Sequence, residues 1–186
     1  MTDILLTNEA LVKSVTSISD NVSGKYLQSA MREAQEMGLR YILGDALTDA
    51  LKEKVDKEVV ESKYTELLNI CQFYLAYQTV VELIPRISYK INNFGVNKTT
   101  GENVQAADWT EIVSMKEYYQ NKADVYCRSL QVWLLERYTE FPELDDNDCY
   151  RIRKNLYSSA SSGLWLGGAR GRAKTSRRKG CKCCDE

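Results

Sequence analysis

With 186 residues, 44% hydrophobic and 27% charged, the chain can close one hydrophobic core and is too short for two comfortable ones. Its net charge is −1 and it has only two prolines. No charged-then-apolar leader opens it and no apolar run approaches the roughly 20 residues of a membrane span, so a soluble, unexported product is expected. The absence of histidine excludes Ser-His and Cys-His nucleophile pairs and His-ligated zinc.

Ile4-Leu5-Leu6 opens the chain as a docking segment, and Thr7 or Asn8 can cap a small helix containing Ala10, Leu11 and Val15. Residues 20 to 51 then predict two amphipathic helices. Asp20 or Ser19 caps the first, whose apolar positions Val22, Tyr26, Ala30, Met31 and Ala34 recur at helical spacing. Gly38 supplies the left-handed residue expected to end it. In the second, Leu39, Ile42, Leu43, Ala46, Leu47, Ala50, Leu51 and Val55 form one stripe, with Gly44 permitting a close approach or a bend. Lys52 to Ser62 is charged and holds an i,i+4 pair, Glu53 with Lys57, which suits a solvated helix end.

From Lys63 to Ile84 the chain is apolar around most of its circumference, predicting the central, most buried helix with Cys71 as a small hydrophobe. Pro85 should end or kink it near Ile84. Residues 88 to 107 lose the helical period and read as an extended hairpin, with Thr99-Thr100-Gly101-Glu102 at its tip between Phe94-Gly95-Val96 and Asn103-Val104-Gln105. Asp108 as N-cap and Glu111 at the third helical position form a capping box. A long helix follows to about Tyr138, its stripe of Ile112, Met115, Tyr119, Ala123, Tyr126, Leu130, Trp133 and Leu134 read as core and subunit interface. Phe141 to Asp148 breaks it, as a solvated acidic loop or a helix N-cap leading into Cys149 to Leu156, and lacks the glycine and closing glutamate of a calcium loop.

The last stretch is a separate module. A Ser/Gly link, residues 158 to 163, leads to Leu164-Trp165-Leu166 set between glycines, and a basic arm follows. Seven Lys and Arg against two acids from Gly168 to Glu186 give the tail about +5, leaving about −6 on the rest. Composition leaves two readings open for the arm, a binding segment for a polyanion or acidic surface and a solubilising end. An exposed Trp between two leucines is expected to plug a pocket on a neighbour, the alternative being its own chain.

The run Ile18-Ser19-Asp20-Asn21-Val22, then Tyr26-Leu27, Ala34-Gln35 and Leu39-Arg40-Tyr41-Ile42-Leu43-Gly44-Asp45-Ala46-Leu47, resembles the N-terminal half of the head-to-tail connector proteins of tailed bacteriophages. These are also called adaptor, head-completion or ring proteins, and the crAss-like group is the nearest. The resemblance covers roughly residues 1 to 145 and the Gly163 to Gly167 segment. It implies a structural virion protein at the head-to-tail interface, assembled in the bacterial cytoplasm. The subunit would join a homo-oligomeric, dodecameric ring that docks on the portal protein and extends the DNA channel towards further connector or tail proteins. It also implies that the hairpin residues Phe94, Val96, Thr99, Thr100, Gly101 and Val104 contact a neighbouring subunit.

The expected fold is mainly α: a helical bundle with one extended β-hairpin-like excursion and an extended C-terminal arm. Residues 1–157 form the helical connector domain, with its hairpin at about 88–107, and 158–186 the linker, Trp anchor and arm. Leu164, Trp165, Leu166, Arg170, Arg172, Lys174, Arg177, Arg178 and Lys179 are the expected partner-binding residues, facing the portal or a neighbouring subunit. The alternative function is a non-sequence-specific nucleic-acid-binding helical protein whose arm neutralises phosphates, and contact with packaged DNA would join the two readings. No P-loop, Gly-x-Gly-x-x-Gly or Gly-x-Ser-x-Gly motif occurs, so neither catalysis nor a cofactor is expected. Cys181, Cys183 and Cys184 supply three of the four ligands that a tetrahedral zinc needs, and no metal is expected.

Overall fold

The computed structural model describes residues 4–58, 61–92, 95–98 and 108–144, together with Ile152. Helix α1, Glu9–Val15, is capped by Asn8, whose Oδ1 accepts from the Leu11 amide at 2.8 Å. Helix α2, Gly24–Glu33, begins later than Ser19 or Asp20 would place it. Those two residues belong to a tight turn: the Val22 amide bonds the Ser19 carbonyl, and Lys13 Nζ donates to the Asp20 carbonyl at 2.9 Å. Leu27, Ala30 and Met31 face the core, whereas Tyr26 is exposed.

The helix expected to stop at Gly38 does not stop there. It runs on as a π-helix, Ala34–Leu39, into α3, Arg40–Leu43. Gly38 serves close approach instead of reversal, since a Cβ there would lie 2.5 Å from the hydroxyl oxygen of Tyr74. The reversal falls at Gly44, whose φ of 84° and ψ of 166° suit only glycine. Helix α4, Asp45–Asp56, starts at once, with the Thr48 hydroxyl donating to the Gly44 carbonyl at 2.6 Å. Arg40 braces this corner by pairing with Glu36 at 2.8 Å, Asp45 at 2.7 Å and Asp49 at 2.6 Å. Lys52 adds a second cation to Glu36. Each such exposed pair contributes up to about 1 kcal/mol; their joint effect is to fix the angle between α3 and α4.

The π-helix also turns Gln35 inward, where it holds the N-terminal segment. Its Oε1 accepts from the Leu6 amide at 2.8 Å and its Nε2 donates to the Ile4 carbonyl at 3.0 Å. That leaves Leu6 buried in the core beside Leu39 and Leu43.

Helix α5, Ser62–Ser88, is the hub, packing against α1, α2, the π-helix and the last long helix. Pro85 does not end it. Proline removes only its own N–H, so the helix continues one more turn, with the Ser88 hydroxyl on the Ile84 carbonyl at 2.8 Å and the Tyr89 amide on the Pro85 carbonyl. Arg86 ties this turn to Ser29 and Glu33 of α2. Contrary to the sequence expectation, α5 is long and apolar enough to cross a membrane by length and composition. Leu67, Cys71, Leu75, Ala76, Thr79 and Leu83 are nevertheless buried within the bundle, as in the core helix of a globular fold.

Strand β1, Tyr89–Asn92, pairs antiparallel with β2, Gly95–Lys98, in the register Tyr89 to Lys98 and Asn92 to Gly95. The tip expected at residues 99–102 lies outside the described residues. Helix α6, Trp109–Glu136, opens with the expected capping box, the Asp108 amide donating to Glu111 Oε2 at 2.9 Å. It packs along α5 through Tyr119, Ala123, Leu130 and Leu134. A 3-10 turn, Tyr138–Glu140, delivers Phe141 to the core, where its ring meets Tyr64 edge-on at 5.5 Å and Trp133 at 5.7 Å. Phe141 therefore belongs to the core and not to a solvated loop. Tyr64 Oη donates to Glu143 at 2.6 Å, and Ile152 closes the same cluster.

Candidate interaction surfaces

Helix α6 has more than one outward side. The core side is satisfied by α5, and an aromatic ladder seals the seam between them. Phe73 stacks on Tyr126 at 5.6 Å, Tyr126 on Tyr77 at 5.3 Å, and Tyr77 meets Tyr119 at 6.4 Å. Lys122 Nζ lies 5.3 Å from the Tyr77 ring and 4.5 Å from that of Tyr118. Next to the ladder runs a stripe of large apolar residues left in water. Met115 is 56% exposed, Tyr118 53%, Val125 60% and Val132 46%. At 3.6 residues per turn these positions lie on one flank, since steps of three and seven bring side chains back to the same side. Beyond it Glu117 and Asn121 make an ordinary solvated face.

On the opposite flank of α6 lies a groove of about 470 Å³, walled by the π-helix and α3. Its rim carries Met37, 75% exposed, and Tyr41, 57% exposed. Its interior is formed by Gly38, Ile42, Tyr74, Gln78, Cys127 and Gln131. Tyr74 and Gln131 are only 6% and 5% exposed, and neither side chain has a hydrogen-bond partner among the described residues. Two other polar lining groups are engaged: Gln78 donates to Glu82 at 2.8 Å and Gln120 to Asp124 at 2.9 Å. Burial, then the Asp124 carboxylate, pushes the Cys127 thiol up to about 11, so it sits in the groove as a neutral, unreactive sulfur. Among the described residues no group of His, Cys, Asp and Glu is placed to hold a metal.

Of the residues that the sequence marked as functional, Val96 lies on β2. Phe94, Thr99, Thr100, Gly101 and Val104 lie outside the described residues, as do Leu164, Trp165, Leu166, Arg170, Arg172, Lys174, Arg177, Arg178 and Lys179. The stripe read as core and interface together resolves into two. Tyr119, Ala123, Leu130 and Leu134 are core, while Met115 falls among the exposed residues with Tyr118, Val125 and Val132. Those last three were missed by sequence reasoning; the seven-residue spacing of Tyr118, Val125 and Val132 was the signal for them. The groove had no signal beyond Gly38, because its polar floor comes from α5 and α6.

No curated protein and no solved structure matches the chain. A family model does match, over residues 39–154, from the last residue of the π-helix through α6 and past Ile152. The chain belongs to that family, described as a family of unknown function (DUF6712).

Proposed function

We propose that this protein is a structural subunit that assembles with copies of itself, and that the assembly is the ring of a phage head-to-tail connector that docks on the portal. The observation that supports self-assembly is the pair of unlike apolar surfaces on the two flanks of α6. Burying a large aliphatic or aromatic side chain is worth about 1.5–3 kcal/mol, so four half-exposed residues in one stripe are a standing cost unless covered. Two different patches per subunit allow head-to-tail contacts, which close into a ring when the rotation permits. The sequence likeness to connector proteins supports the finer reading, in which the β-hairpin-like excursion reaches a neighbouring subunit and the C-terminal arm fastens the ring to its partner.

Native mass measurement of the purified chain, alone and with portal protein, tests this. An oligomer that forms alone or on addition of portal is expected. A chain that stays monomeric with portal present, yet shifts duplex DNA at low salt and releases it at physiological salt, refutes the reading in favour of a nucleic-acid-binding protein.

A further inference from the structure

Resting on the self-assembly reading, we propose that the groove between the π-helix and α6 is the socket for the Leu164-Trp165-Leu166 segment of a second copy of this chain. The groove's chemistry selects such an occupant. An indole N–H is donor only and needs an acceptor when buried. Tyr74 and Gln131, both mostly buried residues, line the groove and offer a hydroxyl and an amide oxygen as acceptors. Around them Met37, Tyr41 and Ile42 give a thioether, an aromatic ring and an aliphatic wall, suited to an indole flanked by leucines.

Size and charge agree. A volume of about 470 Å³ holds a side-chain anchor rather than a helix 10–12 Å across. The arm that follows Trp165 carries about +5 and the rest of the chain about −6, so the arm is drawn to the body of a copy; at the groove wall itself Asp124 and Arg128 balance one another. Ile152 is anchored in the core cluster that also holds Leu134 and Phe141, and eleven residues separate it from Leu164. Extended at up to about 3.5 Å per residue, they reach roughly 40 Å, enough to cross to an adjacent subunit. Each copy then gives one anchor and receives one, a heterologous joint of the kind that closes rings.

Light scattering on full-length proteins tests this: wild type, Trp165→Ala, the socket double variant Met37→Glu with Gln131→Leu, and an equal mixture of the two variants. Loss of a central aromatic anchor weakens each variant's self-association at least about 30-fold. The mixture recovers a dimer, because the first variant still offers a socket and the second an anchor. No recovery means that each arm fills its own groove, which overturns the proposal. Variants that both assemble like wild type also overturn it, while the self-assembly reading then stands on the α6 stripe if Val125→Glu abolishes assembly. A wild-type chain that never assembles overturns that reading, and this proposal with it.

Discussion

Replacing Gly38 by alanine is expected to destabilise the fold, against the usual preference of helices for alanine. In an ordinary helix the change gains about 0.8–1 kcal/mol. Here the new Cβ would sit 2.5 Å from Tyr74 Oη, inside contact distance, while its next neighbours, Tyr74 Cζ at 3.4 Å and Gln78 Cγ at 3.5 Å, are ordinary contacts. The clash is with one atom. That atom ends a stiff ring buried between α5 and the π-helix, so it cannot swing away cheaply. Overpacking of this kind costs about 1–3 kcal/mol, leaving a net loss of up to about 2 kcal/mol. Removing the hydroxyl should reverse the sign. In a Tyr74→Phe background, Gly38→Ala should stabilise by up to about 1 kcal/mol, and the coupling between the two sites should then be about 1–3 kcal/mol. Urea unfolding followed by circular dichroism reads all four proteins, and in a chain of this length 1 kcal/mol moves Tm by about 2–4 °C. Equal effects of Gly38→Ala in both backgrounds would refute the reasoning.

Phe141→Ala should cost about 3–5 kcal/mol in the same unfolding assay, since the ring is fully buried between Tyr64 and Trp133, and a loss below 1 kcal/mol would return Phe141 to the surface loop. Glu58 follows the C-cap of α4 with a φ of 54°, so Glu58→Gly should raise stability by about 1 kcal/mol; an unchanged urea midpoint would contradict it. The Glu36 carboxyl is held below its ordinary 4.5, chiefly by the hydrogen bond from Lys52, against the opposing effect of burial. Its folded value is depressed, so its contribution is full above pH 4.5 and is lost as pH falls through the folded value. Glu36→Gln should therefore lower stability at neutral pH and flatten its decline in acid, as urea midpoints across that range will report.

The parts of the fold that local chemistry controls were legible in the sequence. Asn8 as a cap, the Asp108–Glu111 box and the buried α5 are each dictated by residues within a few positions of one another. The errors share a cause, which is that a distant residue overruled a local preference. Gly38 reads as a helix end, but its lack of a side chain is used by Tyr74, thirty-six positions away. Pro85 reads as a terminator, yet Arg86 secures the following turn onto Ser29 and Glu33 of α2. Phe141 sits among acids and a proline, and only its approach to Tyr64 and Trp133 makes it core. The groove was illegible for the same reason, because it is shared by three separated segments.

The distribution of residues around α6 bears most directly on what the molecule does. Folding needs one apolar face on this helix, and Tyr119, Ala123, Leu130 and Leu134 supply it. A second apolar stripe adds nothing to that packing and lowers solubility. Chance would scatter such residues, whereas Glu117 and Asn121 keep the neighbouring face polar. The stripe and the groove therefore lie on separate flanks divided by solvated side chains. A self-pairing two-fold contact would use one patch against itself and leave the other bare; head-to-tail contact uses both. Charge substitutions on either flank should therefore both weaken assembly, Val125→Glu by spoiling the stripe and Met37→Glu by spoiling the groove, each shifting the chain towards the monomer in light scattering. Either variant assembling like wild type would mean that its flank takes no part in holding the copies together.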